Sequence, residues 1–254
     1  YWDICPSLAY QEIDLAPTSV PLDPVNSTCT RFRKPTLWIK ESPTIDPPPP
    51  SNFLAYAVTL PQWEYELLRR VQLLYSAPAT LQELLLDTLS SLLLASDGGM
   101  KNPHGYYAWA IGTADDVVCY NSGTVFGWPL SSFWAEAYGR LSFLRFLYHI
   151  PIYLFGTQKM QFPSIASYCD NSSVVKVEKP FGDRPWTPST VLRSDYNLVK
   201  QLEIAQADCP IPYTIDWIKG HQDDTIPYHK LERLAQLNVI ADHFATQHRW
   251  IIWN

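Results

Sequence analysis

The pattern of apolar and polar residues predicts five strands and several helices from residue 91 onward. Its clearest element is Ser91–Gly99 (SLLLASDGG), an apolar run of strand length that is followed by one carboxylate and two glycines. Such a run predicts a strand that is buried on both faces and ends near Asp97. Further strands are predicted at 105–113, 117–126, 165–169 and 213–219, and helices at 131–150, from 187 to about 207, and at 231–250. This order of elements predicts an α/β fold with a central mixed five-stranded sheet flanked by helices.

The first part of the chain differs from the rest in its proline and glycine content. Ten of the 22 prolines fall within residues 1–50, whereas all ten glycines lie at or beyond Gly98. Residues 1–52 are therefore predicted to form a Pro-rich extended arm with one strand, Thr36–Lys40, closed by the polyproline spacer Pro47–Pro50.

Residues 53–90 are predicted to form a short helical connector between the arm and a main domain at residues 91–254. Thr59–Gln62 and Thr80–Glu83 both resemble capping boxes, and each opens an apolar run with helical spacing. The first of these runs, Trp63–Tyr75, predicts one helix over its whole length.

Composition excludes several classes of protein. A hydrophobic content of 46% argues against bulk disorder, and five scattered cysteines without CxxC spacing favour free thiols over a disulfide framework or a zinc site. No apolar stretch is long enough to span a bilayer, and no signal peptide is evident. We therefore expect an intracellular protein, in cytoplasm or nucleus, without a membrane partner.

The net charge of −6 is unusual for a protein that binds nucleic acid. Residues 96–254 hold 13 Lys and Arg against 15 Asp and Glu. If four of these acids bind metal ions, the balance becomes 13 against 11. The charge is thus compatible with nucleic acid and does not argue for it.

Four carboxylates lie at predicted strand ends or on buried helix faces: Asp97, Glu136, Asp170 and Asp242. Two hard divalent cations about 4 Å apart can clamp the attacking and leaving oxygens of a phosphodiester, and they need oxygen ligands with open positions. His221 lies in a GHQDD loop after the last predicted strand, where it could carry protons near neutral pH. Together these residues predict a metal-dependent hydrolytic site.

Each residue also has a structural interpretation. Glu136 could pair with Arg140 one turn along its helix, and Asp170 could cap the helical turn that opens at Asn171. Asp242 could be a solvated helix residue and His221 an ordinary loop histidine. Taken singly, each structural interpretation is the favoured one. Their joint occurrence on these elements favours the site.

The chain offers two candidates for the third carboxylate, Asp170 and Asp195. Asp170 ends an apolar run, so its side chain is expected at the end of a strand, as is that of Asp97. Asp195 is expected about two turns into the helix that starts at Thr187–Pro188, among basic and polar residues. The pattern therefore favours Asp170.

The stretches SDGG, WAEAYGRLSFLRFL, SYCDNSSVV, WIKGHQDD and LNVIADHFA, in this order over Ser91–Trp250, resemble the ribonuclease H family in its retroelement form, the domain associated with reverse transcriptases. The resemblance implies a ribonuclease H-like fold that hydrolyses the RNA strand of an RNA/DNA hybrid. It also implies two Mg²⁺ ions, for which Mn²⁺ is expected to substitute, held by the four carboxylates. A histidine at the position of His221 would assist turnover.

The resemblance further implies substrate contacts at Gly98, Gly99, Asn171 and Asn238. The upstream segment LPQWEYELLRRVQ is similar to the segment before this domain in some retroelement polyproteins, which implies the polymerase part of a reverse transcriptase as a partner. Two alternatives stay open: an integrase- or transposase-type polynucleotidyl transferase, and a non-cleaving structural module of the connection type. The fourth acid and the GH loop favour the nuclease.

Overall fold

A computed structural model of the chain describes residues 29–31, 38–40, 52–75, 79–101, 104–127, 130–179 and 191–253. Two units are distinguished, one of which spans Cys5–Ser51. In that unit, strand β1 (Cys29–Arg31) pairs antiparallel with β2 (Trp38–Lys40). The strand predicted at Thr36–Lys40 is thus present over its last three residues, and the polyproline spacer lies outside the described residues.

The second unit contains residues 52–254 and is built on a six-stranded mixed sheet. Its strands are β3 (Gln72–Leu73), β4 (Leu92–Lys101), β5 (His104–Gly112), β6 (Val117–Val125), β7 (Ile165–Cys169) and β8 (Tyr213–Trp217). Their order across the sheet is β3-β6-β5-β4-β7-β8. The neighbouring pairs β3–β6, β6–β5 and β5–β4 are antiparallel. Strand β7 pairs parallel with β4, and β8 pairs parallel with β7. The predicted α/β class with a central mixed sheet is confirmed.

The sixth strand, β3, lies where the sequence predicts a helix up to Tyr75. Helix α1 spans Phe53–Ala57, and helix α2 runs only from Gln62 to Leu68. The Thr59 hydroxyl donates to the Tyr56 carbonyl instead of capping α2. The chain then turns so that β3 can pair with β6, an interaction that helical periodicity does not anticipate.

The second predicted capping box forms as expected. Helix α3 spans Leu81–Leu86, and its N-cap Thr80 accepts from the Glu83 N–H while the Glu83 carboxylate accepts from the Thr80 N–H. Side chains from this upstream segment, including Phe53, Leu67 and Leu85, belong to the same apolar core as the sheet.

One face of the sheet is covered by α4 (Ser132–Phe155) and the other by α7 (Arg233–Trp253). Alternation along β4 divides its side chains between these faces: Leu94 belongs to the main core on the α4 side, and Ala95 packs with Leu237 of α7. Helix α4 continues beyond the predicted end at Ile150 and stops at the left-handed Gly156.

Two further helices flank the parallel strands. Helix α5 (Ser172–Glu178) follows β7 directly, and α6 (Tyr196–Ala207) precedes β8. Thr187 and Pro188 lie outside the described residues. The prediction that Asp195 lies two turns inside a helix is wrong, because the helix that reaches Ala207 begins only after Asp195. In the part of the chain that the structure describes, no helix combines the length and the apolar character needed to cross a membrane.

Candidate metal centre

Asp97 lies on β4 just past the point where its parallel neighbour ends. Strand β7 pairs with β4 up to Ser96–Cys169, and β4 continues to Lys101 along β5 alone, so the strand does not end at Asp97 as predicted. Asp97 is buried, with 8% of the residue exposed. Burial, followed by the neighbouring carboxylates of Asp170 and Asp242, raises the pKa of Asp97 well above its ordinary range.

Glu136 reaches the same place from the first turns of α4 and is 4% exposed. Burial raises the pKa of Glu136, and the charges of Asp97 and Asp170 raise it further. The alternative in which Glu136 pairs with Arg140 is wrong. Arg140 forms a buried ion pair with Glu178, with 2.8 Å between Nη2 and Oε1.

The glycines after Asp97 allow close packing at the site. A Cβ atom on Gly98 would lie 2.5 Å from the Glu136 nitrogen, so only glycine lets α4 approach β4 this closely. A Cβ atom on Gly99 would meet the ring of Tyr106 at 2.5 Å. Contacts of these two glycines with nucleic acid stay a prediction.

Asp170 directly follows β7 and is half-buried. Its alternative role as a helix cap is wrong, because the neighbouring Asn171 caps α5: its side-chain oxygen accepts from the Ser173 N–H at 3.0 Å. That oxygen is therefore engaged in the fold, and a substrate contact of Asn171 stays a prediction.

Cys169 is a member of this cluster that the sequence interpretation missed. Ligand atoms of Glu136, Cys169 and Asp170 all lie within 4.8 Å of one another, and Cys169 Sγ is 3.7 Å from Glu136 Oε2. Burial, with the Glu136 charge next, raises the pKa of the Cys169 thiol well above its ordinary value. Strand alternation could have indicated that Cys169 points into the main core on the α4 side, which is the side from which Glu136 approaches.

Asp242 approaches from α7 on the other face of the sheet. Asp242 is half-buried, and its carboxyl group is one of the groups that raise the pKa of Asp97. Asn238 lies one turn earlier on α7 and is 3% exposed, and its Oδ1 has no hydrogen-bond partner among the described residues. Its proposed substrate contact stays a prediction.

His221 follows Gly220, the glycine that lies against the Asp170 side chain. Its side chain is exposed in the loop after β8, and its backbone has φ 50°, the left-handed region that non-glycine residues rarely adopt. Among the described residues, His221 forms no ion pair with any of the four acids. Its role in turnover stays a prediction.

The donor set fits hard divalent cations. Across the described ranges, none of the four carboxylates forms an ion pair with Lys, Arg or His. Buried like charges without a counter-charge are costly, and a divalent cation would remove that cost. Asp97, Glu136, Asp170 and Asp242 would hold such ions through oxygen atoms, the ligands that Mg²⁺ and Mn²⁺ prefer.

Comparisons with known proteins gave similar structures only. Neither a protein-family model nor a curated protein matches the chain. Among solved structures, the N-terminal RNase H domain of a Mycobacterium tuberculosis protein is 15% identical with a TM-score of 0.41, and covers 64% of this chain and 95% of that one. RNase H1 of Halobacterium salinarum is 16% identical with a TM-score of 0.40, and the match covers 63% of this chain and 98% of that one.

A third similar structure, LC11-RNase H1 in complex with an RNA/DNA hybrid, is 10% identical with a TM-score of 0.43, and covers 65% of this chain and all of that one. These neighbours are ribonuclease H domains, and the strand order of this chain by itself establishes an α/β fold with a mixed sheet.

Proposed function

We propose that residues 91–254 form a ribonuclease H-type catalytic domain that hydrolyses the RNA strand of RNA/DNA hybrids. The observation that carries this proposal is the convergence of four carboxylates from four separate elements near the carboxyl end of β7, beside the central strand β4. Among the described residues, no cationic side chain forms an ion pair with them. A structural module has no need for such repulsion.

The chain's own residues have distinct roles in this proposal. Asp97 is on the central strand β4 and its pKa is raised by the charges of both Asp170 and Asp242, so it would be the ligand that two ions share. Glu136, Asp170 and Asp242 would complete the coordination. When bound, two divalent ions supply an activated water and stabilise the leaving oxygen. His221, on its exposed loop, would carry a proton or assist product release.

Substrate selection would follow from contacts around the same edge. Contacts to 2′-hydroxyl groups near Gly98, Gly99 and Glu136 would distinguish RNA from DNA. Asn238, whose buried side-chain oxygen is unpaired among the described residues, is a further substrate-contact candidate, as is Asn171.

We also propose that the domain belongs to a retroelement reverse transcriptase, with the Pro-rich residues 1–52 as an arm and 53–90 as a connector. The support is the resemblance of the LPQWEYELLRRVQ segment to the segment that precedes this domain in some retroelement polyproteins. The polymerase part would then be the partner.

The proposal is tested with an RNA/DNA hybrid whose two strands carry different labels. We expect Mg²⁺ or Mn²⁺ to support cleavage of the RNA strand alone, Ca²⁺ to support little, and EDTA to stop it. Double-stranded DNA and double-stranded RNA of the same sequence are the substrate controls. Cleavage that survives EDTA contradicts two-metal chemistry. DNA strand joining would indicate a transferase, and no reaction with any metal a structural module.

A further inference from the structure

Trp217, the last residue of β8, is fixed in place although 54% of its surface is exposed. Its indole Nε1 donates a hydrogen bond to the main-chain oxygen of Asp170, with 2.9 Å between the two atoms. An indole N–H can only donate, and here it serves one acceptor outside its own strand. The contact therefore joins β8 to the residue that carries a proposed metal ligand.

The residues after Trp217 continue around Asp170. The Ile218 N–H donates to the Cys169 oxygen at 3.1 Å, which extends the pairing of β8 with β7 by one step. Gly220 lies against the Asp170 side chain, where any Cβ atom would overlap the carboxylate. Asp170 is thus contacted on its main chain by Trp217 and at its carboxylate by Gly220.

Asp170 needs such support because of its place in the fold. Strand β7 ends at Cys169, so the ladder that holds the strand does not extend to Asp170. The carboxylates of Asp97 and Glu136 are close enough to repel that of Asp170. Without an anchor, a carboxylate after a strand end would turn away from its neighbours and toward solvent.

We propose that Trp217 is a positioning residue, whose indole N–H holds the Asp170 backbone so that the Asp170 carboxylate stays directed at the divalent-cation site, with Gly220 leaving room for it. This inference rests on the proposed function, since it assigns Asp170 to that site. It concerns the affinity for cations and is therefore measurable without a nuclease assay.

The test removes the N–H while keeping the shape of the side chain. Trp217 is replaced by 3-benzothienylalanine, in which sulfur takes the place of the indole nitrogen, and in a second variant by Phe (Trp217→Phe). Binding of Mn²⁺ to the full chain is followed by the loss of the electron paramagnetic resonance signal of free Mn²⁺. Loss of one hydrogen bond to a ligand residue is expected to weaken Mn²⁺ binding about 3- to 10-fold in both variants.

Two further variants separate positioning from general stability. Trp63→Phe changes a half-buried tryptophan on α2 and is expected to leave Mn²⁺ affinity unchanged. Gly220→Ala, which crowds the Asp170 carboxylate, is expected to weaken Mn²⁺ binding at least as much as loss of the N–H. In nuclease assays, the Trp217 variants should need more Mg²⁺ for half-maximal rate, while KM for the hybrid stays unchanged.

The inference is overturned if the benzothienylalanine chain binds Mn²⁺ as tightly as the unsubstituted chain, because the indole N–H would then make no contribution to Mn²⁺ affinity. It is equally overturned if Trp63→Phe weakens binding as much as the Trp217 variants. A chain that binds Mn²⁺ in the Trp217-dependent manner described but cleaves no hybrid would refute the proposed function and leave the positioning role supported.

Discussion

Arg140 and Glu178 form an ion pair in which both side chains are completely buried. The Arg140 guanidinium donates to both carboxylate oxygens, at 2.9 and 2.8 Å, and also to the Ser167 hydroxyl at 3.0 Å. Arg140 lies one turn after Glu136 on α4, and Glu178 ends the helix that follows Asp170. The pair therefore ties together the two elements that bring Glu136 and Asp170 to the same edge of the sheet.

Breaking this pair should destabilise the chain strongly. Glu178→Gln leaves the Arg140 charge buried without its counter-charge, which is expected to lower the free energy of unfolding by about 3–5 kcal/mol. The double replacement Arg140→Met with Glu178→Met removes both charges and should be less destabilised than the single variant. Urea denaturation measures both. A Glu178→Gln chain within about 1 kcal/mol of the original would contradict this account.

The raised pKa values of Asp97 and Glu136 predict how the metal-free chain responds to pH. An acid whose pKa is raised by folding binds its proton more tightly when folded, so its stabilising contribution is complete below its ordinary pKa and is lost as pH rises toward the folded value. The ordinary values are 3.8 for Asp97 and 4.5 for Glu136. Stability in EDTA should therefore fall as pH rises above this range.

Asp97→Asn isolates this effect. The variant removes one titrating group and one repelling charge, so in EDTA its melting temperature should exceed that of the unsubstituted chain by a margin that grows with pH. Asp115→Asn, in the exposed turn between β5 and β6, is the matched control and should follow the unsubstituted chain. Adding Mg²⁺ should stabilise the unsubstituted chain more than Asp97→Asn. A margin independent of pH would refute the assignment of these shifts.

The lowered pKa of Glu64 predicts that its contribution to stability changes with pH in the opposite direction. Burial pushes the pKa of Glu64 upward, but the neighbouring His149 and Arg145 together outweigh burial and lower it. Arg145 Nε lies 2.6 Å from Glu64 Oε1. An acid with a lowered pKa stabilises the fold above its ordinary value of 4.5, and that contribution is lost as pH falls through the folded value. Glu64→Gln should therefore lower the free energy of unfolding most near neutral pH and least in acid. Urea denaturation at pH values above and below 4.5 measures this difference. An equal cost at both ends would contradict the prediction.

His221 is expected to affect turnover rather than the first cleavage event. His221→Ala should lower the multiple-turnover rate without abolishing it, by up to about 100-fold, because the metal ions supply most of the stabilisation of the transition state. His221→Asn is the control for backbone strain, since asparagine tolerates the left-handed conformation but does not titrate near neutral pH. Equal losses in both variants support a proton-carrying role. A normal rate in His221→Asn would assign the loss to strain.

Much of the fold could be predicted because its strands and helices carry local patterns. The limits of β7 follow from one apolar run, and the buried character of α4 follows from its lack of a polar face. Strand β3 could not be predicted in this way. It has only two residues, and it exists because Gln72 and Leu73 pair with residues almost fifty positions further along the chain.

In the candidate site, too, residues with a local sequence pattern could be predicted, whereas contacts between distant parts of the chain could not. Asp97, Glu136, Asp170 and Asp242 could be proposed because each is a carboxylate in an apolar context, and the structure brings all four together. Partners that arise only from tertiary packing were missed. Glu178 draws Arg140 away from Glu136, and Trp217 contacts Asp170 across 47 positions.

Asp170 and Asp195 offer the sharpest test of the central claim, because both were candidates for the third carboxylate and only Asp170 lies among the others. Asp195 precedes α6 and accepts two hydrogen bonds from Arg193, at 2.9 and 2.6 Å. Asp195→Asn loses an exposed ion pair of little energetic value, whereas Asp170→Asn loses a proposed ligand.

The decisive measurement is Mg²⁺-dependent cleavage of a labelled RNA/DNA hybrid by these two variants. Asp170→Asn should lower the cleavage rate by about 100- to 1000-fold while melting no lower than the unsubstituted chain in EDTA, because one repelling charge is removed. Asp195→Asn should cleave at nearly the original rate. An active Asp170→Asn chain beside an inactive Asp195→Asn chain would contradict the proposed site.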